Sequence, residues 1–403
     1  MKILHTSDWH LGHRLHEQSQ FEEQSLFLSW LLEYIHNNDI AVLLLAGDVF
    51  DTGVPSAQAQ KQYYDFLIQL TRTNCKSVII TGGNHDAPST INAPKELLQS
   101  LSIHVVGKAT EEIEHEVFKL LIEGEEVIVA AVPYLRDQDI RRAIAAESGE
   151  QINNRYKTAL VNHYTAVAEY CESVNPNLVP VIAMGHLFAI GGKTSESEQT
   201  IYVGNLGDIS FDDFPSTFDY VALGHLHRPQ KIGESGRVRY SGSPCILSFS
   251  ELGYDKKVVV LETKVGKIAE ITEVVVPAFR RIVRVVGDLD SCIDSLKMID
   301  EEESVLKPWV EVVVDIESKV GFAYSEITKV AEGLNLEVLK VSLKNERKVT
   351  GLESLVENAR HIKEFSPLEV FQMKCKEQDF DLESRPEIVD AFHEILQMTR
   401  EGE

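Results

Sequence analysis

Cysteine is sparse and follows no pattern. Cys75, Cys171, Cys245, Cys292 and Cys375 are scattered, odd in number and form no Cys-x-x-Cys pair. This excludes a disulfide framework and a zinc knuckle, and leaves the five as plain core or surface thiols. Long apolar runs are missing too, since none reaches the roughly 18 residues that a membrane-spanning helix needs, and no membrane partner is expected. Cationic residues are outnumbered, 39 Lys and Arg against 63 Asp and Glu, for a formal charge of −24. The molecule as a whole therefore repels nucleic acid and anionic membranes, so a polyanionic substrate must be held by metals and local basic clusters. The opening residues 1–4 read as a buried strand running straight into Asp8 and His10, which leaves no room for a leader segment. A cytoplasmic protein is expected. Internal repeats and low-complexity segments are absent as well.

What is present is a chain of 403 residues, long for a single core, so more than one domain is expected. Short branched apolar runs at residues 40–46, 77–81, 127–132, 179–184 and 220–223 each end in Gly or polar residues and predict buried strands. Between the early runs, residues 21–35 bring Phe21, Leu28, Leu32 and Ile35 onto one helical face, and Ser56 can cap a helix running to about Arg72. The first part is α/β. Beyond His227 come strand-like stretches at 237–240, 257–262 and 271–276, closing near Pro277. From Phe279 the order restarts: a strand to Val286, a helix over 290–298, a strand over 309–316, a helix over 324–332 and a strand over 336–343. That is a small separate α/β unit. A polar stretch, 344–350, leads to two further helical patterns. Ser366 and Pro367 open the first, which carries Leu368, Phe371 and Cys375; the second, over 386–400, carries Ile388, Val389, Phe392, Ile395 and Leu396. The expected division is 1–277, 278–345 and 346–403.

Five segments carry the chemistry: Asp8-Trp9-His10, Gly47-Asp48-Val49-Phe50-Asp51, Gly83-Asn84-His85-Asp86, Gly185-His186 and Gly224-His225-Leu226-His227. Each sits where an apolar strand ends. In open α/β sheets the ligand site lies at the carboxyl ends of the strands, so five segments can converge on one crevice. Their glycines permit tight turns and close backbone approach. Two carboxylates, one amide oxygen and several imidazoles suit Mn2+ or Fe2+ better than a magnesium cage or a thiolate zinc site, and Mn2+ is the expected ion. Asp48 can bridge two cations, whose summed charge exceeds that of Asp8 and Asp48 and leaves a surplus for an anionic phosphate ester. Taken singly, a strand-end histidine is more often a core or loop residue, and Gly-Asp and Asn-His are common turn formers. Five such elements in this order point to a metal site. His5, His36, His104, His115, His163, His361 and His393 match none of them and read as structural or surface residues.

This set resembles the calcineurin-like metallophosphoesterases, whose pattern is D-x-H, G-D-x-x-D, G-N-H-D/E, G-H and G-H-x-H. The fold so implied is a sandwich of two sheets flanked by helices, followed by a small α/β capping domain and C-terminal helices. More narrowly, the opening Met-Lys-Ile-Leu-His-Thr-Ser-Asp-Trp-His-Leu-Gly-His, the Gly-Asp-Val-Phe-Asp segment and Gly-His-Leu-His-Arg-Pro are similar to the bacterial SbcD family of nuclease subunits, which act with the ABC-type ATPase SbcC. The resemblance implies a DNA exonuclease and endonuclease that trims ends and opens hairpins in repair, recombination and replication. It puts Asp8, His10, Asp48 and His227 on one metal and Asp48, Asn84, His186 and His225 on the other. His85 would face the scissile phosphate and stabilise or protonate the leaving oxygen. Some relatives have a histidine at the position of Asp51, so Asp51 is expected to orient a neighbouring ligand instead. His13 and Arg14 are expected DNA contacts, and Arg136, Arg141, Arg142 and Lys193 lie in segments that could border the cleft. The family further implies a homodimer within a heterotetramer with the ATPase, and a cap that helps admit DNA ends. A small-molecule phosphodiesterase is expected to end near Pro277, and a silent scaffold to lack a ligand; this chain continues past Pro277 and retains all the motifs.

Overall fold

The computed structural model describes residues 1–136, 149–195, 197–198, 209–264, 266–300, 305–315 and 320–344. Arg141, Arg142, His361, His393, Cys375 and the helices expected after Thr350 lie outside the described residues. The strands are β1 (Lys2–Thr6), β2 (Arg14–Leu15), β3 (Gln18–Ser19), β4 (Ile40–Ala46), β5 (Ser77–Thr81), β6 (Ile103–Val106), β7 (Val117–Ile122), β8 (Glu125–Ala131) and β9 (Val181–His186). They continue as β10 (Tyr220–Gly224), β11 (Gln230–Ile232), β12 (Val238–Tyr240), β13 (Lys257–Lys264), β14 (Lys267–Val275), β15 (Arg280–Gly287), β16 (Leu306–Asp315) and β17 (Glu337–Lys344). The α-helices are α1 (Phe21–Asn37), α2 (Ala57–Leu70), α3 (Pro88–Ile91), α4 (Lys95–Gln99), α5 (Gly149–Ser173), α6 (Leu289–Asp300) and α7 (Val320–Ala331).

Two six-stranded sheets stack face to face, in the orders β14-β13-β1-β4-β5-β6 and β11-β12-β10-β9-β8-β7. Each has four parallel strands, β1, β4, β5 and β6 in the first and β8, β9, β10 and β12 in the second, with antiparallel strands added. Strands buried on both faces need continuous apolar sequence, which is why β4 reads Ile-Ala-Val-Leu-Leu-Leu-Ala. Alternation then divides it: Val42, Leu44 and Ala46 meet Ile182, Met184 and Ala222 of the other sheet. Leu43 and Leu45 turn outward to Phe27, Leu31 and Ile35 of α1 and Tyr63 and Phe66 of α2. On the opposite side Tyr156, Leu160, Tyr164 and Val167 of α5 cover the second sheet. The result is a four-layer α/β/β/α sandwich. As the sequence leads one to expect, Ser56 caps α2, its side chain accepting from the backbone N–H of Ala59.

Beyond Pro277, β15, β16 and β17 form an all-parallel three-stranded sheet joined by α6 and α7. Their core is Val285, Cys292, Leu296, Val310, Val312, Val314 and Ile327. Arg280 ties this layer to α1. Its guanidinium donates to Glu23 (3.1 and 3.2 Å) and Glu22 (3.1 Å), and lies 4.1 Å over the Trp309 ring.

His5, expected to be structural, is wholly buried where the two sheets meet. Its Nε2 lies 3.2 Å from the carbonyl of Leu223, and its Nδ1 lies 3.0 Å from the Tyr220 hydroxyl. Burial, reinforced by Arg239, lowers its pKa to about 3 despite the hydrogen bond to Leu223. The unfolded chain takes up a proton near the ordinary value of 6.5, so stability present above that pH drains away as pH falls from 6.5 toward 3, by up to about 1.4 kcal/mol per unit. In chelator, urea midpoints of wild type should therefore fall between pH 6.5 and 5 more steeply than those of His5→Gln. Parallel curves would contradict a neutral buried imidazole.

Candidate metal centre

The five segments lie at the carboxyl ends of β1, β4, β5, β9 and β10, with Gly185-His186 closing β9, Gly224 closing β10 and the rest in the loops beyond, and their backbone is unusual. Among the described residues ten non-glycine residues have positive φ, and four belong to these loops: Asp8 (53°), His10 (44°), Asp48 (49°) and His225 (100°). Left-handed backbone costs roughly 1–2 kcal/mol per non-glycine residue, and such strain concentrates at functional sites. Hydrogen bonds across the loops hold it in place. Asp8 donates its N–H to the Gly47 carbonyl and His10 to the Asp48 carbonyl, both at 3.0 Å. The buried Asp86 carboxylate accepts from the N–H groups of Gly83 (2.9 Å), Phe50 (3.0 Å) and Val49 (3.1 Å), stitching the third loop to the second. Close approach needs glycine: a Cβ on Gly83 would stand 2.1 Å from Asp48 Oδ1, and one on Gly47 2.2 Å from His186 Nδ1.

The side chains face one another as donors. His85 N–H holds Asp48 Oδ1 (2.9 Å), which leaves Asp48 Oδ2 between His10 Nε2 (3.6 Å) and His186 Nε2 (3.2 Å). Asp8, His10 and His227 converge on one side of it, and Asp48 and His186 group with Asp8 on the other. Asn84 Oδ1 lies 2.8 Å from His186 Nε2 and 3.3 Å from His225 Nδ1. His186 Nδ1–H donates to the Ala46 carbonyl (3.1 Å), which turns Nε2 into the centre. His10 Nε2 is buried with no hydrogen-bond partner, as expected of a nitrogen awaiting a cation. Burial works against charge on His186, yet Asp48 raises its pKa to about 9, so the local potential favours positive charge; His225 is held well below its ordinary value by burial and then by His186. The residues present fit divalent cations.

A second ring of residues orients these donors. Asp51 Oδ1 accepts from His10 Nδ1 (3.2 Å) and His13 Nδ1 (2.8 Å), consistent with an orienting role. His85 Nδ1 donates to the Asp51 carbonyl at 2.7 Å. His13, an expected substrate contact, has its ring nitrogens 2.8 Å from the Asp51 carboxylate and 3.1 Å from the Leu247 carbonyl. Arg14 keeps an exposed guanidinium, on the β2–β3 hairpin. Arg136 does not reach outward: it donates to the carbonyls of Asp86 (2.5 Å) and Gly83 (3.4 Å), clasping the Asn84–His85 loop. Lys193 is exposed, its backbone paired with Gln230.

Two residues that the motifs do not mark stand behind His227. Its Nδ1 lies 3.1 Å from Oε1 of Glu251, a carboxylate with no solvent exposure, and Lys256 Nζ donates to Glu251 Oε2 at 2.5 Å. Against the cost of burial, Lys256 and His227 hold Glu251 well below the usual carboxylate range. Neither residue belongs to a strand-end motif, so nothing in their spacing points to them.

The calcineurin-like phosphoesterase family matches residues 1–229, and the type 5 capsule protein repressor C-terminal domain matches residues 278–379. Three curated relatives are named as the SbcD component of the SbcCD nuclease. The one from Escherichia coli K12 is 31% identical, with 98% of each chain covered. That from Bacillus subtilis is 33% identical over 70% of this chain and 72% of its own, and that from Rhodobacter capsulatus 36% over 66% and 67%. The chain therefore belongs to the calcineurin-like phosphoesterases and, within them, to the SbcD family of nuclease subunits. Membership implies divalent metal ions, which the clustered donors suit. Among the described residues no helix is long and apolar enough to cross a membrane.

The packing around Asp48 can be tested directly. Gly83→Ala forces a methyl group against its carboxylate, so the variant should lose about 1–3 kcal/mol of stability and cleave phosphodiesters more slowly than wild type. Unchanged melting and activity together would mean that the loops do not need this close approach.

Proposed function

We propose that this chain is the nuclease subunit of a DNA-processing complex: a metal-dependent exonuclease and endonuclease that hydrolyses phosphodiester bonds at DNA ends and hairpins in repair, recombination and replication. One observation carries the reading, the single oxygen of Asp48 standing between imidazoles of two donor groups. That arrangement supports Asp8, His10, Asp48 and His227 as ligands of one cation and Asp48, Asn84, His186 and His225 as ligands of the other. Two divalent ions, Mn2+ being best suited to this nitrogen and oxygen donor set, supply charge to neutralise the phosphate and acidity to the attacking water.

The chain's own groups do the rest. His85 gives its Nδ1–H to the Asp51 carbonyl, so Nε2 is the atom left to act on the leaving oxygen: as the imidazolium the ring would give up its Nε2 proton and remain as the neutral Nδ1–H tautomer. Arg14 offers a solvent-facing guanidinium to a backbone phosphate, a local cation on a chain whose net charge repels DNA. Residues 1–277 form the nuclease domain in this reading, 278–345 a cap beside it, and 346–403 the docking segment for an SbcC-type ABC ATPase, in a homodimer within a heterotetramer. The apolar spacing that the sequence carries over 368–396 supports docking, since a helical face built from it would need covering. A cytoplasmic location agrees with a DNA substrate.

Two variants separate the roles. His85→Gln should keep both metals while cleavage falls by roughly 10²- to 10⁴-fold. Asp48→Asn should deplete metal from both positions, because one shared carboxylate serves both; metal analysis retaining a full pair would remove the bridge. A chain truncated after Leu343 should still cleave short DNA but no longer co-purify with the ATPase, and undiminished ATPase binding would rule out the docking role of the final segment.

A further inference from the structure

The imidazoles of the two donor groups are backed differently. On the first side, His10 Nδ1 meets the Asp51 carboxylate (3.2 Å) and His227 Nδ1 meets the Glu251 carboxylate (3.1 Å). His227 Nδ1 also lies 2.6 Å from the Ser197 hydroxyl, which itself donates to Glu251, so both routes from this nitrogen end on the same carboxylate. The two carboxylates are joined as well. His13 bridges Asp51 to the Leu247 carbonyl, and the N–H of the same Leu247 donates to Glu251 Oε2 at 3.1 Å. A run of polar contacts thus leads from His10 through Asp51, His13, Leu247 and Glu251 to His227. On the second side, His186 Nδ1–H ends on the neutral carbonyl of Ala46, whereas the contact of His225 Nδ1 with the Asn84 amide oxygen joins two candidate ligands to each other.

This difference has a chemical consequence. A carboxylate behind a ligating imidazole fixes its tautomer and ring orientation and raises its basicity, and loss of such a partner costs 10- to 100-fold in metal affinity. A backbone carbonyl fixes the tautomer without bringing a formal charge. We propose that Glu251, braced by Lys256, is a positioning residue that makes the Asp8–His10–His227 cation position the tighter-binding of the two. Lys256 offsets the desolvation of the buried carboxylate, donating also to the Ser243 hydroxyl (3.0 Å) and the His227 carbonyl (3.4 Å). The cation at the Asn84–His186–His225 position is then the exchangeable one. The inference rests on the dinuclear reading above.

The test is equilibrium titration of chelator-stripped, full-length protein with Mn2+, free Mn2+ being read by electron paramagnetic resonance. Wild type should bind two ions in two classes of affinity. Glu251→Gln should weaken the tighter class by about 10- to 100-fold and leave the weaker class in place. Since that change strands a buried ammonium, the paired Glu251→Gln/Lys256→Met variant is titrated alongside it and should show the same shift. Asp51→Asn, at a partly exposed carboxylate, should weaken the same class through His10. Circular dichroism reports whether each variant is folded. Two wild-type classes with no selective weakening in any folded variant, or equal weakening of both, overturns the inference and spares the dinuclear reading. A wild-type protein that takes up no Mn2+ overturns both.

Discussion

Asp48 must present one oxygen to two sets of imidazoles at once, and much of the surrounding structure answers to that demand. Its other oxygen is held by the His85 N–H, so the carboxylate cannot rotate away. Its backbone is left-handed, which on its own is unfavourable, and it stays so because Asp86 grips the amides of Val49 and Phe50 just beyond it. Asp86 also grips Gly83, so the loop carrying Asn84 and His85 is registered against the loop carrying Asp48 by one buried side chain. Arg136 closes the same loop from outside through its carbonyls. The strain is tolerable because four parallel strands in each sheet anchor the loops from below, and Ala46, the last residue of β4, supplies the carbonyl that aims His186 across the sheet boundary.

Charge explains why the site is so deeply enclosed. A chain of net charge −24 approaches a polyanion against its own field. What favours the substrate must therefore be local, at short range and little screened by salt, which describes charges buried between two sheets. Asp8, His10, Asp48, His186, His225 and His227 are all nearly inaccessible, and Glu251 is fully so. Burying carboxylates without partners is costly, and here each has one: Asp8 accepts from the Ser7 hydroxyl and the His225 amide, Glu251 from Lys256.

The sandwich was largely legible in the sequence because its central strands are buried on both faces. Such strands appear as unbroken apolar runs ending in Gly-Asp, Gly-His or Gly-Gly-Asn, and that combination also located the clustered donors. What escaped lies where burial is partial. Strand β7 alternates at the sheet edge with Lys119 and Leu121 exposed, β6 is four residues long, and α5 mixes its apolar stripe with many polar side chains. Glu251 left no trace because its partner, His227, is 24 residues away and the two meet only through tertiary structure.

Helix α1 connects parts of the molecule that the sequence keeps far apart. Its first turn holds Glu22 and Glu23, which receive Arg280 from the start of the three-stranded layer, and directly after them comes Gln24. Gln24 donates to the His10 carbonyl at 2.8 Å and accepts from the Gly12 amide at 3.1 Å, and so fixes the strained loop that carries His10. Gln20, at the head of the same helix, reaches the Ile246 carbonyl, beside the Leu247 peptide that links His13 to Glu251. The small layer beyond Pro277 and the candidate ligands thus share one rigid element, gripped at neighbouring residues. The contacts are charge-assisted on one side, through buried Glu23 and exposed Glu22, and backbone-directed on the other. The small layer and the loop that carries His10 are thus held at adjacent residues of one helix.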